Sequence, residues 1–116
     1  MTLQVTTDHA NNIPIINVTG QIDMNNYVEV HELILSEISS GHPNIVLNFK
    51  KLNFMDSATL GMLLRSLDKA KQQGGLLVLV TNPFVDRVLA VTGLTHLFEL
   101  FSSDDDAIAR LLQAAS

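Results

Sequence analysis

The chain has 116 residues, with 7 Lys and Arg against 12 Asp and Glu for a formal charge of −5. That length supports one core but not two, so a single domain over residues 1–116 is expected. No basic stripe with interleaved aromatics offers a footing for nucleic acid, and the absence of cysteine removes disulfides, thiolate catalysis and cysteine metal sites. No early basic-then-apolar segment reads as a signal peptide and no apolar run approaches a membrane span, so a cytoplasmic domain without membrane insertion is expected.

Leu3-Gln4-Val5-Thr6 alternates as a short strand, and Ile13 to Val18 is a second. The turn-rich link His9-Ala10-Asn11-Asn12 has hairpin length, which makes these two strands antiparallel neighbours. Pro14 lacks a donor, so its part of the strand should face an edge. Thr19-Gly20-Gln21-Ile22-Asp23 leaves the sheet in a loop.

A helix is predicted over 25–40, with Tyr27, Val30, Ile34 and Ile38 inward and Glu29, Glu32 and Glu37 outward. Asp23 or Asn25 is its candidate cap and Gly41 its stop. Asn44-Ile45-Val46-Leu47-Asn48-Phe49 reads as a strand covered on both faces. A helix over 57–73 follows, its apolar stripe Leu60, Leu63, Leu64 and Leu67, and Gly74-Gly75 stops it. Leu76 to Val80 is the next buried strand. Asn82-Pro83 starts a helix that ends near Gly93, 97–101 is a last strand, and Ser102-Ser103-Asp104-Asp105-Asp106 opens a terminal helix. The order β-β-α-β-α-β-α-β-α implies an α/β fold: a mixed sheet of four to five strands with four helices. Leu47, Leu63, Leu64, Leu67, Leu77, Val78 and Leu79 are its expected buried residues.

Within that frame the stretch Asn53-Phe54-Met55-Asp56-Ser57-Ala58-Thr59-Leu60-Gly61 is the most informative, because it sets an acid and a hydroxyl where a strand gives way to a helix. Helix N-termini leave N–H groups unpaired and carry partial positive charge, which suits a phosphate or an acidic partner. Asp56 as N-cap and Ser57 in the first turn also fit a plain capping role. Loops at the carboxyl ends of parallel strands are where ligands bind, so Asp23 and Ser57 are expected at one end of the sheet. No P-loop or dinucleotide fingerprint is present. His9, His31, His42 and His96 show no metal spacing and are placed in loops or on exposed helix faces. A serine without a visible base is a poor nucleophile and a good substrate hydroxyl, so a target of modification is favoured over a catalyst. No catalytic residue, metal or cofactor is assigned.

Phe54-Met55-Asp56-Ser57, the aliphatic helix after it and Gly74-Gly75 resemble the STAS domain, in particular the bacterial anti-sigma factor antagonists. The resemblance spans essentially the whole chain and includes Thr19-Gly20-Gln21-Ile22-Asp23, Ile45-Val46-Leu47-Asn48, and Asn82-Pro83 through Thr92-Gly93-Leu94. It implies that Ser57 is phosphorylated by an anti-sigma factor that is also an ATP-dependent serine kinase, with a phosphatase to reverse it. By the same resemblance, Asp23, Asp56, Ser57, Ala58, Thr59 and Gly61 belong to the partner-binding surface. Ala58 and Thr59 stand where family members often carry a small hydroxyl residue and a glycine, and a β-branched Thr59 is expected to narrow the docking surface. The implied mechanism is partner switching: the unphosphorylated domain binds the anti-sigma factor and frees a sigma factor, and phosphate at Ser57 ends that binding. Other readings are a STAS subunit of a signalling assembly or of a lipid-transporting ABC complex, a receiver with Asp56 as phosphoacceptor, and a small hydrolase using Ser57.

Overall fold

In the computed structural model, which describes residues 2–115, the elements follow the order expected. They are β1 (Leu3–Ala10), β2 (Ile13–Ile22), α1 (Tyr27–Ser39), β3 (Ile45–Met55), α2 (Ser57–Gln72), β4 (Leu77–Val80), α3 (Pro83–Val91), β5 (Leu100–Phe101) and α4 (Asp104–Ala115), with a 3₁₀ turn at Thr95–Leu97. The five strands form one mixed sheet in the spatial order β1-β2-β3-β4-β5. Among the described residues the β1–β2 hairpin is antiparallel and the other strand pairs are parallel. Asn11 and Asn12 turn that hairpin with φ of 55° and 63°, a left-handed pair that Asn tolerates and that matches the strands' twist. Pro14 lies before the first β2–β3 pair, Ile15↔Val46, so its missing donor breaks no ladder on that side.

Strand alternation sorts the core into two layers. Ile16, Val18, Ile45, Leu47, Phe49, Leu77 and Leu79 face α1, α2 and α3, where Val30, Ile34, Leu63, Val85 and Leu89 meet them. Ile13, Ile15, Val46, Val78 and Val80 face α4 through Ala107, Ile108 and Leu111. Both faces of β3 and β4 are thus covered, which is why those strands read as continuous apolar runs.

Several boundaries differ from the sequence expectation. β1 runs on to Ala10 and β2 to Ile22, so Thr19 to Ile22 is strand rather than loop. β3 extends to Met55 because Thr19↔Lys51, Gly20↔Leu52, Gln21↔Phe54 and Ile22↔Met55 continue its pairing with β2 past β4's last partner, Asn48↔Val80. Leu97 belongs to the 3₁₀ turn, and β5 keeps only Leu100 and Phe101. Helix α1 starts after Asn26, not after Asp23 or Asn25. On α2 the buried side is Thr59, Leu60, Met62, Leu63, Ser66, Leu67 and Ala70. Leu64 is only partly buried, since Met62 and Ser66 rotate the stripe away from it. Gly75 follows α2 where a Cβ would come within 2.1 Å of the Pro43 carbonyl oxygen, so the chain needs glycine there.

Candidate functional site

The site is assembled where β2 and β3 end side by side. The last register pair, Ile22↔Met55, delivers Asp23 and Asp56 to the same edge. Asp56 is the N-cap of α2, with an extended backbone (φ −116°, ψ −176°). One carboxylate oxygen, Oδ1, accepts from Thr59 N–H at 3.0 Å and sits 3.0 Å from Thr59 Oγ1. The other, Oδ2, accepts from Met24 N–H at 2.8 Å. Asp56 therefore ties the 23–26 turn to the start of α2. Burial alone would raise its carboxyl, but the hydrogen bonds from the Thr59 N–H, the Thr59 hydroxyl and the Met24 N–H outweigh it and hold it below the usual value.

Asp23 anchors the facing turn. Its Oδ1 accepts from Asn25 N–H at 2.8 Å, its N–H donates to Asn26 Oδ1 at 2.8 Å, and its carbonyl accepts from Tyr27 N–H at 2.9 Å. Because Asn26 Oδ1 is taken by the Asp23 N–H, and its amide donates to the Gln21 carbonyl, Asn26 caps α1 by position without a side-chain cap bond. The carboxylate of Asp23 thus shapes a turn and does not cap a helix.

Ser57 is the first residue of α2 and is exposed, and no protein partner to its hydroxyl is found among the described residues. Among the described residues no histidine or lysine hydrogen-bonds it. Asp56 has both oxygens engaged, which leaves it poorly placed as a phosphoacceptor. Ala58 and Gly61 are partly buried beside Ser57. Thr59 is fully buried, with its hydroxyl 3.1 Å from the Ile22 carbonyl oxygen, so it supports the junction from beneath.

The sequence reading left two exposed apolar residues out of the site. Met24 is 69% exposed and Phe54 42% exposed, one in the turn that Asp56 holds and the other two residues before Asp56. Together with Val28, also exposed on the first turn of α1, they place apolar side chains on the elements that frame the acidic pair. The available signal was an apolar residue outside any periodic stripe, which Met24 satisfies. Among the described residues, no helix is long and apolar enough to cross a membrane.

The comparisons with known proteins fall on this fold. The family model for the STAS domain matches residues 4–107. An anti-sigma F factor antagonist of Paenibacillus polymyxa is 30% identical over 96% of this chain and 97% of its own. The crystal structure of an anti-sigma factor antagonist from Mycobacterium paratuberculosis superimposes with a TM-score of 0.82 at 23% identity, covering 95% of this chain and 94% of that one. The Bacillus cell-fate determinant SpoIIAA in its phosphorylated form gives a TM-score of 0.71 at 23% identity, covering 94% of this chain and 98% of that one.

Proposed function

The chain belongs to the STAS domain family, and from that premise we propose that it is an anti-sigma factor antagonist that works by partner switching at Ser57. It binds an anti-sigma factor when unphosphorylated, freeing a sigma factor for transcription, and it lets go when Ser57 carries phosphate. The observation that carries the reading is the exposed, unpartnered Ser57 hydroxyl directly after an N-cap aspartate whose own oxygens are both engaged. The two adjacent polar groups divide the work: Asp56 builds the junction and Ser57 is left available. The name of the Paenibacillus polymyxa relative supports the class of partner. The phosphorylated form known for the Bacillus protein of this fold supports a phosphate-controlled switch.

The chemistry needed from this chain is modest. The Ser57 oxygen attacks the γ-phosphate of ATP held by the partner kinase; a P–O bond forms to Oγ, the bond from the γ-phosphorus to the ADP oxygen breaks, and the hydroxyl proton passes to a base of the kinase. The product brings roughly −1.5 to −2 charge and three acceptor oxygens. The N-terminus of α2 favours that charge locally, so the fold tolerates it. Asp23 and Asp56 at the same edge add to a negative field, which repels an acidic or apolar partner surface. Met24, Phe54, Asp23, Ala58 and Gly61 form the face the unphosphorylated domain presents. The domain on this reading is a single cytoplasmic binding unit over residues 1–116 that is modified and does not itself catalyse; a phosphatase resets it.

Intact-mass and phosphopeptide analysis after incubation with ATP and a cognate anti-sigma kinase tests the reading. One acid-stable phosphate on Ser57 is the expected result. An acid-labile phosphate on Asp56, or no phosphate under conditions that modify a known substrate, contradicts it.

A further inference from the structure

At the end of the sheet away from Ser57, three potential ligands converge from three elements. His9 comes from β1, Glu37 from the last turns of α1, and His42 from the link to β3. Sequence spacing shows no such set, because 28 residues separate His9 from Glu37. The fold gathers them through two fixed devices. The hairpin register places His9 opposite Pro14, at the turn end of the hairpin. The end of α1 is a Schellman closure: His42 N–H donates to the Glu37 carbonyl at 2.9 Å and Gly41 N–H to the Ile38 carbonyl at 3.1 Å. Gly41 takes the left-handed conformation that this closure requires, with φ of 90°. His42 is thereby folded back over the side chain of Glu37.

The resulting geometry is close. Glu37 Oε1 lies 3.1 Å from His9 Nε2 and 3.0 Å from His42 Nδ1. The ligand atoms of all three residues lie within 4.8 Å of one another. The two rings meet edge-on, with centroids 5.9 Å apart. Tetrahedral zinc with bonds of ~2.1 Å separates its ligand atoms by about 3.4 Å, so the histidine–carboxylate spacings need a shift of only a few tenths of an ångström. Glu37, expected to point outward, has a side chain only 18% exposed, whereas His9 is 47% exposed. One carboxylate is thus held inside while the rim stays open to water for a fourth ligand.

We propose that His9 Nε2, His42 Nδ1 and a carboxylate oxygen of Glu37 form a binding site for a borderline divalent cation of the Zn²⁺ class. Two imidazoles and one carboxylate suit zinc and its first-row neighbours, and they disfavour Ca²⁺ and Mg²⁺, which take oxygen ligands. The bound ion takes the imidazole lone pairs, leaving the protons on His9 Nδ1 and His42 Nε2. Such an ion clamps β1, α1 and the link to β3 at one point, far from the phosphorylation end.

The test is calorimetric titration of the full chain with Zn²⁺ near neutral pH, paired with the visible absorption of Co²⁺ as a geometry probe. Saturable binding of one ion per chain is expected, with a Co²⁺ spectrum of low coordination number. His9→Ala, His42→Ala and Glu37→Gln should each weaken binding about tenfold or more, while His96→Ala, on the exposed 3₁₀ turn, should leave it unchanged. His9 is an exposed strand residue, so its variant also guards against loss of fold, which metal-free thermal melts verify. Absence of saturable binding, or binding that the His9 and His42 variants retain, overturns the proposal.

Discussion

Two strand-to-helix junctions lie side by side at one end of this sheet, and their difference is instructive. Both use an extended polar residue as N-cap: Asp56 accepts from Thr59 N–H at 3.0 Å, and Asn82 from Val85 N–H at 2.8 Å. What each cap does with its remaining atoms separates them. The Asn82 amide reaches back to the carbonyls of Phe49, Lys50 and Leu52 at 3.3, 3.0 and 2.8 Å, and it fastens the part of β3 that outruns β4. The next residue, Pro83, has neither a hydroxyl nor an N–H. Beside it Thr81 Oγ1 donates to Asp86 at 2.6 Å, so the junction is closed. Asp56 instead reaches sideways to Met24 N–H and is followed by a bare serine hydroxyl. The same capping device thus makes a lock at α3 and an open end at α2.

The largest expected effect breaks the lock. Asn82→Ala removes a cap and takes the amide away from the carbonyls of Phe49, Lys50 and Leu52, and should cost roughly 2–4 kcal/mol in urea unfolding. Asp56→Ala should cost less, about 1–2 kcal/mol, because it gives up three bonds where Asn82 gives up four. A reversal of that order would mean the two caps are not used as described. Acid sharpens the comparison further. The folded Asp56 carboxyl lies below its unfolded value near ~3.9, so as pH falls the unfolded chain takes up that proton first. Its contribution is full above the unfolded value and is lost as pH falls through the folded one. The stability gap between wild type and Asp56→Asn should therefore narrow below about pH 4, whereas the gap for Asn82→Ala should not change through this group. The smallest effect is Ser57→Ala, within about 0.5 kcal/mol by thermal melt, since no bond is lost.

Much of this was legible in local chemistry. Asp56 and Asn82-Pro83 announce helix starts by residue type, and Gly41 announces a stop. The apolar runs at 45–49 and 76–80 declare buried parallel strands. The extension of β3 was not legible, because Lys50, Lys51, Asn53 and Phe54 are exposed and interrupt the pattern; β2 alone pairs with that segment. Leu64 and Met62 exchanged expected places because sequence spacing alone does not fix how far round the helix the core reaches. Thr59 reads as a surface residue until Ile22 is brought over it. The cluster of His9, Glu37 and His42 depends on hairpin register and helix closure together, so no linear spacing carries it. In the same way, Met24 gains its place only through the bond from its N–H to Asp56 across 32 residues.

The central claim is that charge at Ser57 decides partner affinity while the fold stays unchanged. Titration of wild type, Ser57→Ala and Ser57→Asp against the cognate anti-sigma factor, with thermal melts alongside, tests it directly. Wild type and Ser57→Ala should bind within about twofold of each other. Ser57→Asp, which adds charge beside Asp56 and Asp23, should bind at least about tenfold more weakly, at ~1.4 kcal/mol per tenfold, with melting temperatures nearly level. Equal affinities for all three would place Ser57 outside the switch and leave it as the first residue of a capped helix.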